Sequence, residues 1–147
     1  MTSTTPATAA GIDPRGPRFA AAVTTVVLAV ALVLDNVWVL LFQAVVFAIA
    51  SGLGLGASPY GWLYRTFVRP RLGPPAELED PAPPRFAQTV GLVVTAIGVV
   101  LSLAGVTWAV TAFGALAIVA AFLNAAFGLC IGCEMYLAIA RLRSRPA

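Results

Sequence analysis

The sequence contains no histidine and no lysine, and only 10% of its 147 residues are charged. Without histidine it lacks the usual general base, zinc ligand and haem ligand. All nine basic residues are arginines, which set the net charge of +3. Two cysteines exclude a disulfide framework and allow one pair at most. Polar surface is scarce too: 60% of the chain is hydrophobic, far too much for a soluble domain of this size.

What is present is four apolar runs, at about residues 19–34, 37–57, 86–106 and 109–133. A helix needs about 20 apolar residues to cross a ~30 Å hydrocarbon core. The last three runs qualify, and the first is short enough to need thinning or snorkelling. The first run carries Arg15 and Arg18 in front, as a cleaved signal would. It reads instead as a span, because apolar sequence continues past Asp35-Asn36.

Arginine placement sets the orientation. Arg15 and Arg18 precede the first run, Arg65, Arg69, Arg71 and Arg85 separate the second from the third, and Arg141, Arg143 and Arg145 follow the fourth. The two opposite turns hold none, so both termini are expected in the cytoplasm. Trp38 and Trp108 would mark the outer interface, and Tyr60, Trp62, Tyr64 and Tyr136 the inner one. The expected location is the inner (plasma) membrane, multi-pass.

Residues 1–12 are rich in Thr and Ala and read as a disordered tail. Residues 69–84 hold six prolines and read as an extended cytoplasmic linker. The linker joins two similar halves. Pro17-Arg18-Phe19-Ala20 recurs as Pro84-Arg85-Phe86-Ala87. Gly52-Leu53, Gly56, Tyr60 and Arg65 recur at the same spacing as Gly128-Leu129, Gly132, Tyr136 and Arg141. Each half reads as a helical hairpin that begins and ends on the cytoplasmic side, so the repeat is parallel. In this register Cys130 and Cys133 align with Gly54 and Ala57. The expected fold is an all-α integral membrane domain over 13–147, with four transmembrane helices as two parallel hairpin repeats.

Cys130-Ile131-Gly132-Cys133 is the one motif that carries chemistry. Thiols three residues apart share a helix face and suit exchange, in which one attacks and the other resolves the mixed disulfide. The alternative is a pair of inert apolar cysteines. In a continuous fourth helix the thiols would lie at its C-terminal end and be sluggish. At the start of a new helix they would be favoured as thiolates. Ser58-Pro59 follows the first glycine motif and is a good helix start. By analogy, a break is expected between Gly128 and Glu134, with a restart near Cys133-Glu134. Glu134 is the nearest acid; it reads first as an interfacial carboxylate paired with arginine and second as a proton acceptor for Cys133. Two thiolates and Glu134 fall short of a four-ligand metal site, and no cofactor is implied.

Gly52, Gly56, Gly128 and Gly132 put small residues on helix faces, where close packing is the expected role. Gln43, Gln88 and Asn124 are polar residues in or near spans. Interhelical hydrogen bonding is their first reading, and lining a path to the thiols the second.

Ile12-Asp13-Pro14-Arg15-Gly16-Pro17-Arg18-Phe19 at one end and Gly128-Leu129-Cys130-Ile131-Gly132-Cys133-Glu134-Met135-Tyr136 at the other resemble the bacterial membrane family catalogued as domain of unknown function 4395. The likeness spans nearly the whole chain. It implies a small integral membrane protein without an established activity, whose relatives are often encoded near thiol and sulfur-transfer proteins. Vitamin K epoxide reductase and the disulfide-forming quinone reductases are also four-helix bundles with Cys-x-x-Cys. Their active cysteines face the oxidising side and are backed by further cysteines, which this chain lacks, and that weighs against the same reaction here.

The function expected from the residues is a membrane-bound dithiol for cytoplasmic thiol exchange or sulfur transfer, with Cys130 attacking, Cys133 resolving and Glu134 handling protons. The expected partners are the bilayer and a thioredoxin-like or sulfur-transfer protein, with no role for nucleic acid. A homodimer or larger membrane complex is also open, and the other class of reading is an accessory or assembly subunit.

Overall fold

The computed structural model describes residues 11–145. Residues 1–10, most of the expected tail, lie outside it, while Ile12 pairs with Glu79 in an isolated antiparallel bridge. The chain is all-α. Its helices are α1 (Arg15–Val33), α2 (Val37–Gly52), α3 (Pro59–Leu63), α4 (Ala82–Leu103), α5 (Ala109–Phe127) and α6 (Ile131–Ser144).

Local sequence explains the boundaries. Both α1 and α4 follow an Asp-Pro pair. Asp13 Oδ1 accepts the Arg15 N–H at 3.0 Å, and Asp80 Oδ1 accepts the Ala82 N–H at 2.8 Å. Proline suits a first helical turn because its missing N–H would have no partner there. The two helices therefore begin one turn before the apolar runs, and α1 reaches 19 residues. The expected linker is shorter at both ends, since 69–71 form a 3-10 turn and 82–84 are already helical. Asn36 caps α2 by accepting from the Trp38 and Val39 N–H groups. The second run does not reach Ala57 as one helix. It stops at Gly52, passes through Gly54 at φ 107°, and restarts at Ser58, whose Oγ accepts the Gly61 N–H at 3.1 Å.

Three helices, α1, α4 and α5, are long and apolar enough to cross a membrane, and α2 is apolar but shorter. The buried core where the four meet is small: Leu28, Ala31, Leu40, Val99, Val110 and Ala117. Outside it, Val26, Trp38, Val100 and Leu116 each stay more than half exposed. Apolar surface on that scale marks contact with lipid or another protein rather than water.

The helices pair crosswise. Helix α1 packs chiefly against α5, and α2 against α4. Small residues permit this. A Cβ on Gly91 would stand 2.9 Å from the Phe47 ring, and one on Gly114 the same distance from Leu32. Helix α6 lies on α4, and α3 with the turns after it lies on α1. One buried polar cluster ties the first three helices together. The Tyr60 hydroxyl donates to Gln43 Oε1 at 2.7 Å, and Gln43 Nε2 donates to Thr24 Oγ1 at 3.4 Å. Burial pushes the Tyr60 hydroxyl up to about 12.

A second cluster fixes the start of α1. Asp13 pairs with Arg15 at 2.9 Å and accepts the Tyr64 hydroxyl at 2.7 Å. Hydrogen bonding from Arg15, reinforced by Tyr64, holds the Asp13 carboxyl well below the usual carboxylate range despite the opposing effect of burial. A depressed carboxylate stabilises the fold above its unfolded pKa and loses that effect as pH falls through the folded one. The melting-temperature gap between wild type and Asp13→Asn should thus be full at neutral pH. It should begin to close only below about pH 4, where free Asp protonates.

Candidate functional site

Helix α5 ends at Phe127 because Gly128 turns left-handed, at φ 69°. The Gly128 and Leu129 N–H groups fold back to the carbonyls of Asn124 and Leu123. The fourth run therefore does not continue to Cys133. A new helix starts at Ile131 with Cys130 as its cap, three residues before the expected restart. The break falls within the expected interval, and the cysteines sit beyond the span rather than on it.

Cys130 has an extended backbone, and its Sγ accepts the Cys133 N–H at 3.3 Å. The two cysteines form a disulfide with Cα atoms 5.2 Å apart. They do not share a helix face in the ordinary sense, since Cys130 is the cap and Cys133 is in the first turn. Glu134 follows in that turn, exposed, and its N–H closes the first backbone bond onto the Cys130 carbonyl at 3.0 Å.

Two contacts hold this short segment. Gly132 lies directly on α4, where a Cβ would come within 2.5 Å of the Ala87 Cα. The Tyr136 ring packs on Phe86 with centroids 5.7 Å apart. Arg18 reaches across from α1 to the Ala125 carbonyl at 3.4 Å, at the C-terminal end of α5, where a cation is favoured. Beside the disulfide is a cleft of about 370 Å³, lined by Arg18, Asp80, Gln88, Asn124 and Glu134 among others. Among the described residues no cluster of three or more His, Cys, Asp or Glu is arranged to hold a metal.

The glycines divide. Gly132 is a packing residue. A Cβ on Gly52 would meet nothing within 4 Å, Gly56 faces only the Arg65 guanidinium, and Gly128 serves the turn. In each Gly-x-x-x-Gly the two glycines fall on different elements, because a helix end intervenes. Neither motif therefore forms one continuous small face. The tight contacts instead use Gly91, Gly98 and Gly114, which the sequence did not set apart.

The first half of the chain has a counterpart to the site. Ser58 caps α3 as Cys130 caps α6, with the Gly61 N–H donating to Ser58 Oγ as the Cys133 N–H donates to Cys130 Sγ. Tyr64 packs on Phe19 at 5.8 Å as Tyr136 packs on Phe86. In cap and ring geometry Cys130 resembles Ser58 and Cys133 resembles Gly61, four residues from the alignment expected in the sequence. Gln88 and Asn124 both line the cleft, and Gln43 makes an interhelical bond instead.

No curated protein and no solved structure matches the chain. The model of the family described as domain of unknown function DUF4395 matches residues 12–141, nearly the whole length, and the chain belongs to that family.

Proposed function

We propose that this chain is a four-span membrane protein built from two parallel hairpin repeats, with both termini in the cytoplasm of a bacterial inner membrane. On this reading Cys130 and Cys133 form a reversible dithiol for thiol exchange or sulfur transfer at the cytoplasmic face. The repeat is supported by the matched pairs: Asp13 and Asp80 at the helix starts, Phe19–Tyr64 and Phe86–Tyr136, and the crosswise helix pairing. The bridged residues Ile12 and Glu79 each stand just before the Asp-Pro pair of their own half. The orientation is supported by the distribution of arginine.

The observation that carries the chemistry is the capping of α6 by Cys130 Sγ. A helix N-terminus offers unpaired N–H groups and a partial positive charge, which favour a thiolate over a thiol. Reduced Cys130 would attack a substrate disulfide as the thiolate, forming a mixed disulfide and releasing one substrate thiolate. Cys133 would then lose its proton, attack Cys130 Sγ and release the second thiolate, leaving the intramolecular disulfide. Run backwards, the same steps reduce this disulfide with a thioredoxin-like dithiol.

The test uses inverted membrane vesicles carrying the full chain. Reduced thioredoxin should open the disulfide, and a membrane-impermeant maleimide should then label both cysteines. Intact cells should stay unlabelled. Cys133→Ser should accumulate a mixed disulfide through Cys130, and Cys130→Ser should abolish exchange. Thiols inert to thioredoxin and to maleimide from both sides would leave only the scaffold reading. Labelling from outside would reverse the orientation.

A further inference from the structure

The disulfide has a second neighbour besides the polar cleft. A cavity of about 290 Å³ lies among α1, α4, α5 and α6, with Phe47 of α2 on one side, and Cys130 forms part of its wall. Most of its lining is apolar. Leu116 and Val119 belong to it and are themselves more than half exposed on α5, one of the helices long and apolar enough to cross a membrane. The cavity thus borders the surface that faces lipid. Its volume is near the lower end of small-molecule sites, which span ~300–1,000 Å³.

Three polar side chains break the apolar lining: Thr24, Gln88 and Asn124. Thr24 already accepts from Gln43, so its hydroxyl proton is free to donate to another acceptor. Gln88 and Asn124 carry amide N–H groups. An acyl chain would gain nothing from these donors, whereas a flat apolar ring with carbonyl oxygens would use them. Gln88, Asn124 and Cys130 line the polar cleft as well as this cavity. Cys130 therefore stands between the polar cleft and the apolar cavity and borders both.

We infer that the cavity binds the head group of a lipid-soluble quinone and that the quinone is the electron acceptor for the Cys130–Cys133 dithiol. This rests on the dithiol reading above and names the partner on its membrane side. The reaction balances without a further reagent. The two thiols give up two electrons and two protons, an S–S bond forms, and the quinone becomes the hydroquinone. Electrons would pass from a thiol donor at the cleft, through the disulfide, to the quinone at the cavity. A single cysteine pair suffices, because donor and acceptor meet the same pair from opposite sides. The lack of a second pair limits which thiols can be oxidised and does not prevent a quinone from reaching Cys130.

The test uses the purified full chain in nanodiscs, reduced and freed of reductant, with decylubiquinone as the probe. Its ring is fully substituted, so thiols cannot add to it. The wild type should convert one quinone to hydroquinone for each disulfide formed. Ala120 also lines the cavity, and Ala120→Phe, which fills it, should slow this by about tenfold or more, equivalent to ~1.4 kcal/mol of barrier. Its reduction by thioredoxin should be unchanged, which certifies the fold. Asn124→Leu, a near-isosteric change, should raise the quinone KM several-fold. A dithiol that cycles with thioredoxin but leaves decylubiquinone oxidised would overturn the quinone assignment and leave the exchange function standing. Equal quinone rates in wild type and Ala120→Phe would overturn it too. Failure with both thioredoxin and quinone would defeat both readings.

Discussion

Gly132→Val should dislodge the start of α6 from α4 and produce a large stability loss. The reason is backbone contact. A Cβ at Gly132 would come within 2.5 Å of the Ala87 Cα, and 2.6 Å of its Cβ, so no rotamer change can relieve it. Overpacking of this kind typically costs about 1–3 kcal/mol. Thermal unfolding in detergent should register the drop. The reduction rate of the disulfide by dithiothreitol should rise in parallel, because the cap that holds Cys130 moves with the helix. Gly52→Ala is the informative contrast. It sits in the other Gly-x-x-x-Gly with nothing within 4 Å, at the last residue of α2. Alanine is better than glycine in a helix by about 0.5–1 kcal/mol, so this variant should melt at or slightly above wild type. If both variants lost stability equally, the glycine motifs would be acting alike and the distinction drawn from their surroundings would be wrong.

The second large effect is expected at Gln43. Its side chain is fully buried and serves as acceptor for Tyr60 and donor to Thr24. Gln43→Leu would strand the Tyr60 hydroxyl, itself buried, without its acceptor. A stranded buried polar group costs about 1–3 kcal/mol. Adding Tyr60→Phe to Gln43→Leu removes the orphan, and the double variant should recover much of the loss. Chemical denaturation of the wild type, Gln43→Leu, Tyr60→Phe and the double variant gives the coupling energy directly. Additive losses would mean that the bond contributes little and that packing alone sets the position of α3.

The sequence was informative wherever a residue type acts locally. The apolar runs and the Ser-Pro start are local features, and the helices follow them, although α1 and α4 begin one turn earlier at Asp-Pro pairs that the sequence did not set apart. The break between Gly128 and Glu134 was legible through the parallel with Ser58-Pro59, although the new helix starts at Ile131, earlier than the expected Cys133-Glu134. What remained hidden depends on packing. Faces of membrane helices are apolar all round, so sequence periodicity does not reveal which helix meets which. Gly91 and Gly114, which admit Phe47 and Leu32, look no different in sequence from Gly52, which admits nothing. The register of the two halves slipped for a related reason. The Gly-Leu and Tyr matches aligned Tyr136 with Tyr60, whereas ring packing puts Tyr136 opposite Tyr64. Gln88 and Asn124 stood out as polar residues in apolar runs, and Thr24 carried the same signal without being singled out. That these three meet beside Cys130 follows from the crosswise pairing and from nothing nearer in the chain.

That crosswise pairing also bears on how the protein is made. The first hairpin, α1 with α2, leaves the ribosome before its main partners exist, for α1 awaits α5 and α2 awaits α4. In the four-span architecture proposed above it would wait in the bilayer with its inner surfaces filled by lipid. Each hairpin is less a folded unit than one half of a clasp, and the proline-rich segment between them keeps the halves at high local concentration. A stretched or shortened segment would let the first hairpin of one chain close on the second hairpin of another, giving an exchanged dimer in which every helix contact is preserved.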